Sequence, residues 1–145
     1  MANDTTILKT VWNGDATGKG NIKANFLETD IAIPKPLGGN GEGAEPKEIL
    51  IASATACFTM TLTGMLQGRK LLVEKITMDT ESTKSKEEGF KIIHSPHIIL
   101  SAGTTDEQIQ TAHKAIELAN KRCEVGIMLR KADVQIQAKG TVSVS

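Results

Sequence analysis

Pro46-Lys-Glu-Ile-Leu-Ile-Ala-Ser-Ala-Thr-Ala-Cys57-Phe-Thr-Met-Thr-Leu-Thr-Gly-Met-Leu-Gln67 decides how this chain is read. It opens on a proline, which suits a first helical turn because the missing N–H has no helical partner there. Ile49, Leu50, Ile51, Ala54, Cys57, Phe58, Leu62, Met65 and Leu66 fall nearly all round the helical wheel, the pattern of a helix buried on most sides. Cys57, at its middle, is either inert filling or the functional centre, since a thiol among apolar groups behaves as a small hydrophobe unless its surroundings make it reactive.

Outward from that helix, 145 residues suit a single domain over 1–145, and an apolar share of 39% builds a core without external staples. Lysine plus arginine equals aspartate plus glutamate, at 17 each, so no global field draws the chain to nucleic acid or to a membrane surface. There is no run of eighteen apolar residues, and Met1-Ala2-Asn3-Asp4-Thr5-Thr6 lacks the basic-then-apolar order of a signal peptide. A cytoplasmic protein is expected. Cys57 and Cys123, the two cysteines, are far apart in sequence, which excludes a dense disulfide framework and any Cys-x-x-Cys unit.

Before the helix, Ile7–Trp12 and Ile22–Phe26 alternate around the turn residues Asn13-Gly14-Asp15, and Ile31-Ala32-Ile33 makes a third short strand ended by Pro34 and Pro36. Strands are thus expected over about 5–33. Gly38–Gly43 reads as a flexible connector, because it lacks the Gly-Lys-Ser/Thr ending and dinucleotide spacing of phosphate-binding loops. Gly18-Lys19-Gly20 reads as turn chemistry around a solvated charge.

After the helix (about 46–67), residues 71–82 alternate, with Leu72, Ile76 and Met78 on one side. Phe90–Ser101 forms a second long strand, expected to kink or bulge at Ser95-Pro96, so a hairpin spans about 71–102. His94 and His97 fall on opposite faces of that strand, which argues against joint metal ligation. They and His113 read as surface or packing residues, and two distant cysteines do not complete a zinc site. Thr104 with Glu107 has capping-box spacing. Ile109, Ala112, Ile116, Ala119 and Cys123 then form one apolar stripe on a helix over about 105–123. A last strand alternates over about 133–144. The fold class is α+β, a mostly antiparallel sheet wrapped around a buried central helix. One six-stranded sheet and one helix cannot easily cover that helix, so a homodimer is expected to supply a second layer.

Val-Trp12-Asn-Gly14-Asp15 with Gly18-Lys19-Gly20, then Glu-Pro46-Lys-Glu48-Ile-Leu-Ile-Ala-Ser-Ala-Thr-Ala-Cys57-Phe58, then a helix ending in Cys123-Glu-Val, together resemble the OsmC/Ohr family of thiol-dependent organic hydroperoxide reductases. The resemblance covers almost the whole chain. It implies an intertwined homodimer in which Cys57 attacks a small organic hydroperoxide as a thiolate. Cys57 would become a sulfenic acid and condense with Cys123 to a disulfide, which an external dithiol, lipoyl groups in some relatives, would reopen. No metal or bound organic cofactor is implied.

A thiol buried among apolar groups has its pKa raised, and Cys57 lies too far from Pro46 for the dipole of its own helix to reverse that. A cation is therefore required. The family uses an arginine from the N-terminal strands held by a glutamate near the start of the central helix. No arginine precedes Arg69 here, so Lys19 is the substitute cation, and Glu48 is the carboxylate. An ammonium lacks the planar fork of a guanidinium, so weaker peroxidase activity than in an arginine-bearing relative is expected. Glu48 lies roughly 13 Å along the helix from Cys57 and about 180° round it, so it would serve the partner's site. The alternative reading is a non-catalytic dimer that binds a small apolar or acyl ligand at the subunit interface.

Overall fold

The computed structural model describes residues 4–145, so the expected absence of a targeting segment over Met1–Thr6 lies partly outside the described residues. The chain forms two compact units, one ending at Leu50 and one beginning at Ile51.

The first unit is an antiparallel three-stranded sheet in the order β1 (Lys9–Asn13), β2 (Lys19–Lys23), β3 (Glu28–Ile31). Its first turn is built as the Asn-Gly-Asp sequence dictates: Gly14 takes φ +90°, and Asp15 Oδ1 accepts from Thr17 N–H at 2.9 Å. Gly20 lies under Trp12, where a Cβ would stand 2.7 Å from the indole. The glycine-rich segment, expected as a flexible connector, is pinned by hydrogen bonds. Asn40 Nδ2 donates to Thr17 O and Gly18 O (3.0 and 3.1 Å), and Gly41 N–H donates to Ile33 O (3.0 Å). Its glycines permit close backbone approach as well as turning.

Helix α1 (Pro46–Gly68) carries the expected boundaries within a residue. Within the second unit it packs through one stripe, Ala54, Phe58, Leu62 and Leu66, four residues apart. The expectation of burial on most sides is therefore met on one side only: Ala52, Ser53 and Ala56 are exposed, and Met60 is 74% exposed. Phe58, Leu62 and Leu66 meet Ile98, Leu100, Ala112, Ala115, Ile116, Ala119 and Cys123 in the main core, and Ala54 packs with Ile92 and Val134 in a second cluster. Each large apolar side chain so buried contributes about 1.5–3 kcal/mol.

The second sheet is organised on β5 (Gly89–Leu100), which pairs antiparallel with β4 (Val73–Ser85). The register shift expected at Ser95-Pro96 lies instead between Val73 and Lys75. That extra residue turns Val73 inward and leaves Leu72 73% exposed, reversing the side expected for Leu72. Ile92, His94, Pro96, Ile98 and Leu100 alternate along β5 on its buried face, with His97 on the other face.

Helix α2 (Asp106–Arg122) starts one residue later than the expected capping box. Thr105 is the cap, with Gln108 N–H on its hydroxyl and its own N–H on Gln108 Oε1. A third helix, α3 (Glu124–Lys131), follows with Cys123 as the hinge between the two. The sequence pattern, which ends its helix at about 123, did not indicate α3.

The expected single last strand is two, β6 (Gln135–Ala138) and β7 (Thr141–Val144), both parallel to β5. Two separate sheets thus replace the expected single six-stranded one. The division of the last strand into β6 and β7 has a cause in Pro96. His94 O accepts Lys139 N–H (2.8 Å) on this side of β5, so the backbone of Pro96, two residues on, faces the same way. Having no N–H, Pro96 cannot continue the ladder. The break at Lys139-Gly140 lies opposite it, and a Cβ on Gly140 would stand 3.1 Å from the Pro96 ring.

Candidate active site

Cys57 sits halfway along α1, half-buried, and Cys123 is buried at the α2–α3 hinge; both are free thiols. The core brings them together: Cys57 packs against the cluster that contains Cys123, and each thiol shifts the pKa of the other. Cys123 reaches this position because the α2 stripe of Ala112, Ala115, Ile116 and Ala119 faces the core, and Cys123 N–H still bonds to Ala119 O (2.9 Å).

The two thiols differ in their surroundings. Burial raises the Cys57 pKa, but the Cys123 S–H, the backbone N–H groups of Val125 and Glu124, and the Thr61 hydroxyl outweigh it, and the thiol lies below its ordinary value. Burial pushes Cys123 up, and its role as donor to Cys57 adds to this, taking it to about 11 in spite of the Gly126 and Val125 N–H groups. Cys57 is thus the more acidic of the two thiols.

Glu124 and Val125 are the first two residues of α3, whose opening amides have no intrahelical partner. They point at Cys57 and bring the positive end of the α3 dipole with them. α3 begins at the two residues whose backbone N–H groups lower the Cys57 pKa. These amides were missed in the sequence because backbone donors leave no residue signature, although Cys123-Glu124-Val125 marked their place.

Lys19 Nζ pairs with Asp30 at 3.1 Å, both about half exposed. Glu48, in the first turn of α1, accepts Glu45 N–H through Oε1 at 3.3 Å, the work of a helix-capping carboxylate. Both charges are therefore engaged within the first unit.

On the far side of α1, His94 is 1% exposed and stacks on Phe58, with ring centroids 4.9 Å apart and planes 16° from parallel. Its Nδ1 meets Thr80 Oγ1 at 2.9 Å, and Thr55 donates to the same oxygen at 3.0 Å. Burial, with the Arg130 guanidinium second, lowers its pKa to about 4, so the imidazole is neutral. It is a packing histidine, as read from the sequence. His97 meets Thr141 Oγ1 and, at 3.0 Å, Ser143 Oγ on the other face of β5. Among the described residues no cluster of three or more His, Cys, Asp or Glu side chains is placed to hold a metal ion.

Residues 39–139 match the family model described as OsmC-like protein. The uncharacterized protein YmaD of Bacillus subtilis is 30% identical over 148 aligned residues, covering 99% of this chain and 98% of that one. Organic hydroperoxide resistance protein-like 2 of Staphylococcus saprophyticus is 25% identical over 133 residues, covering 89% of this chain and 92% of that one. The crystal structure of an organic hydroperoxide resistance protein OsmC from Legionella pneumophila superposes with a TM-score of 0.64 at 26% identity, covering 100% of this chain and 99% of that one. With a family model matched over most of its length and a full-length relative at 30% identity, the chain belongs to the OsmC family.

Proposed function

We propose that this protein reduces organic hydroperoxides to alcohols with a two-cysteine cycle. One observation carries the reading: Cys57 packs against the core cluster that contains Cys123, and the acidities of the two thiols are driven in opposite directions. The Cys57 thiolate attacks the distal oxygen of ROOH, the O–O bond breaks, and the alkoxide leaves and takes a proton to become ROH. Cys57 is then a sulfenic acid. The Cys123 thiol displaces its hydroxyl as water, forming the disulfide. The peroxide has gained two electrons and the cysteine pair has lost two. A dithiol, with lipoyl groups the class named by family resemblance, returns them by thiol–disulfide exchange. No metal or bound cofactor enters the cycle. Two relatives named for organic hydroperoxide resistance support the substrate class.

The α3 amides supply the charge stabilisation that an arginine would otherwise give. Lys19 and Glu48 belong to the proposal as supporting charges, each of which must first leave its present partner, Asp30 or Glu45 N–H. A homodimer is part of it too, motivated by the uncovered apolar and small-residue faces of α1, as is a reducing cytoplasmic setting, where two free thiols persist.

Mass spectrometry after one equivalent of cumene hydroperoxide tests the cycle. The expected product is a Cys57–Cys123 disulfide, with Cys57 sulfenic acid trapped by dimedone in a Cys123→Ser variant. Two unreacted thiols would favour a non-catalytic dimer that binds a small apolar or acyl ligand.

A further inference from the structure

Lys121, Arg130 and Lys131 line one open cavity of about 570 Å³ together with Asn120, Ile127 and Ile136, where the end of α2, α3 and β6 meet. No carboxylate lines it, and neither ion pair of the described residues, Lys19–Asp30 or Lys91–Glu88, engages any of the three cations. Basic residues in the last turn of a helix ordinarily answer its dipole, and Lys121 stands in the last turn of α2, Arg130 and Lys131 in that of α3. Two helix ends bring only about one negative charge between them, so three cations leave the cavity positive. Arg130 is held in place there. Its Nη1 donates to Asn120 O at 2.8 Å and its Nη2 to Ile136 O at 3.4 Å, and Asn120 Nδ2 donates to that same carbonyl at 3.2 Å. A guanidinium has five N–H groups; two are spent on these carbonyls, and the other three have no acceptor among the described residues. Ile127 is 40% exposed and Ile136 half-buried, which gives the same cavity an apolar wall.

We propose that this cavity binds a small amphipathic carboxylate, with its head on the Arg130 guanidinium and its alkyl or aryl body along Ile127 and Ile136. Guanidinium N–H groups match the two oxygens of a carboxylate, and a side chain already fixed by two carbonyls loses little freedom when it takes a ligand. Lys121 and Lys131 are exposed and long. Their stems can cover the apolar body while their ammonium groups reach the head. The cavity has the volume of a small-molecule site. A bare anion would leave both isoleucines unused, and a neutral apolar ligand would leave three cations unanswered. Neither cysteine lines the cavity, so the inference stands apart from the two-cysteine cycle.

An NMR titration of the backbone amides of the full chain with octanoate tests this. Acetate serves as the charge without the body, and 1-octanol as the body without the charge. Octanoate is expected to give saturating shifts centred on Ile127, Arg130 and Ile136, with a Kd of about 1 mM or tighter. Acetate and 1-octanol should each bind there at least tenfold more weakly. Replacing the two exposed lysines together, Lys121→Gln with Lys131→Gln, leaves the core packing untouched and should weaken octanoate binding about tenfold, while raising salt weakens binding to the parent chain. Octanoate shifts centred instead on Leu66, Leu71 and Ile76, which line the other apolar cavity, overturn the proposal. So does 1-octanol binding as tightly as octanoate, or an unchanged Kd in the double-lysine variant. The titration needs no peroxide: octanoate bound here in a protein that leaves hydroperoxides intact refutes the peroxidase cycle alone, and a fast peroxidase that ignores octanoate refutes this inference alone.

Discussion

Cys57 lies on α1 and His94 stacks against Phe58 of the same helix, and burial acts on the two in different ways. Burial alone would raise the pKa of the Cys57 thiol, and four donors reverse it. Around His94 burial goes unopposed, so the imidazole is held neutral and its pKa falls to about 4. The unfolded chain, with histidine near 6.5, binds more protons than the folded one between those two values. This stabilising contribution is therefore fully present above about pH 6.5 and is lost as pH falls toward 4. Urea unfolding at pH 7 and pH 5 should show a loss that shrinks by about 2 kcal/mol in His94→Gln. An equal loss in both proteins would contradict the account. At this scale the cysteines were legible, since a thiol inside an apolar helix and another ending an apolar stripe are visible as letters.

Among the elements, α3 matters most to the chemistry and was hidden from sequence reading. Eight residues with a glycine third do not show a long enough period to separate a helix from a turn. Its role can be tested without disturbing its fold, because Glu124 is the first helical residue, where proline is well tolerated. Cys123 before it already has φ −58° and ψ 120°, the conformation a residue preceding proline prefers. Glu124→Pro deletes one N–H from the Cys57 site. The expected result in thiolate titration is a pKa raised by about one unit with little change in thermal stability; an unchanged pKa would remove α3 from the activation mechanism. The last strand was half legible. Its alternation over 133–144 was plain, but its parallel direction follows from the α2–α3 crossover. Its break follows from Pro96, more than forty residues earlier in the chain.

On the scale of the whole molecule, the central helix carries more apolar surface than one chain covers. Phe58, Leu62 and Leu66 are fully used, whereas Met60, Ala52 and Ala56 are not. The sequence showed apolar residues round the wheel but could not show which were left for a partner, since periodicity reports hydrophobicity and not what lies opposite. Sedimentation velocity should find a dimer at micromolar concentration, and Met60→Glu should shift it toward monomer; a monomeric parent would contradict the dimer. Membership of the OsmC family was legible from motifs spread over the length of the chain, and the family match over residues 39–139 bears it out. The amides that lower the Cys57 pKa were not, because backbone N–H groups leave no residue signature. The most direct test of the central claim is stopped-flow oxidation of the reduced protein by cumene hydroperoxide, followed by thiol loss. The account predicts that Cys57 is consumed at least a hundredfold faster than free cysteine at the same pH, on the order of the gain that positioned donors give, with Cys57→Ser abolishing the fast phase. A rate no faster than free cysteine would contradict it.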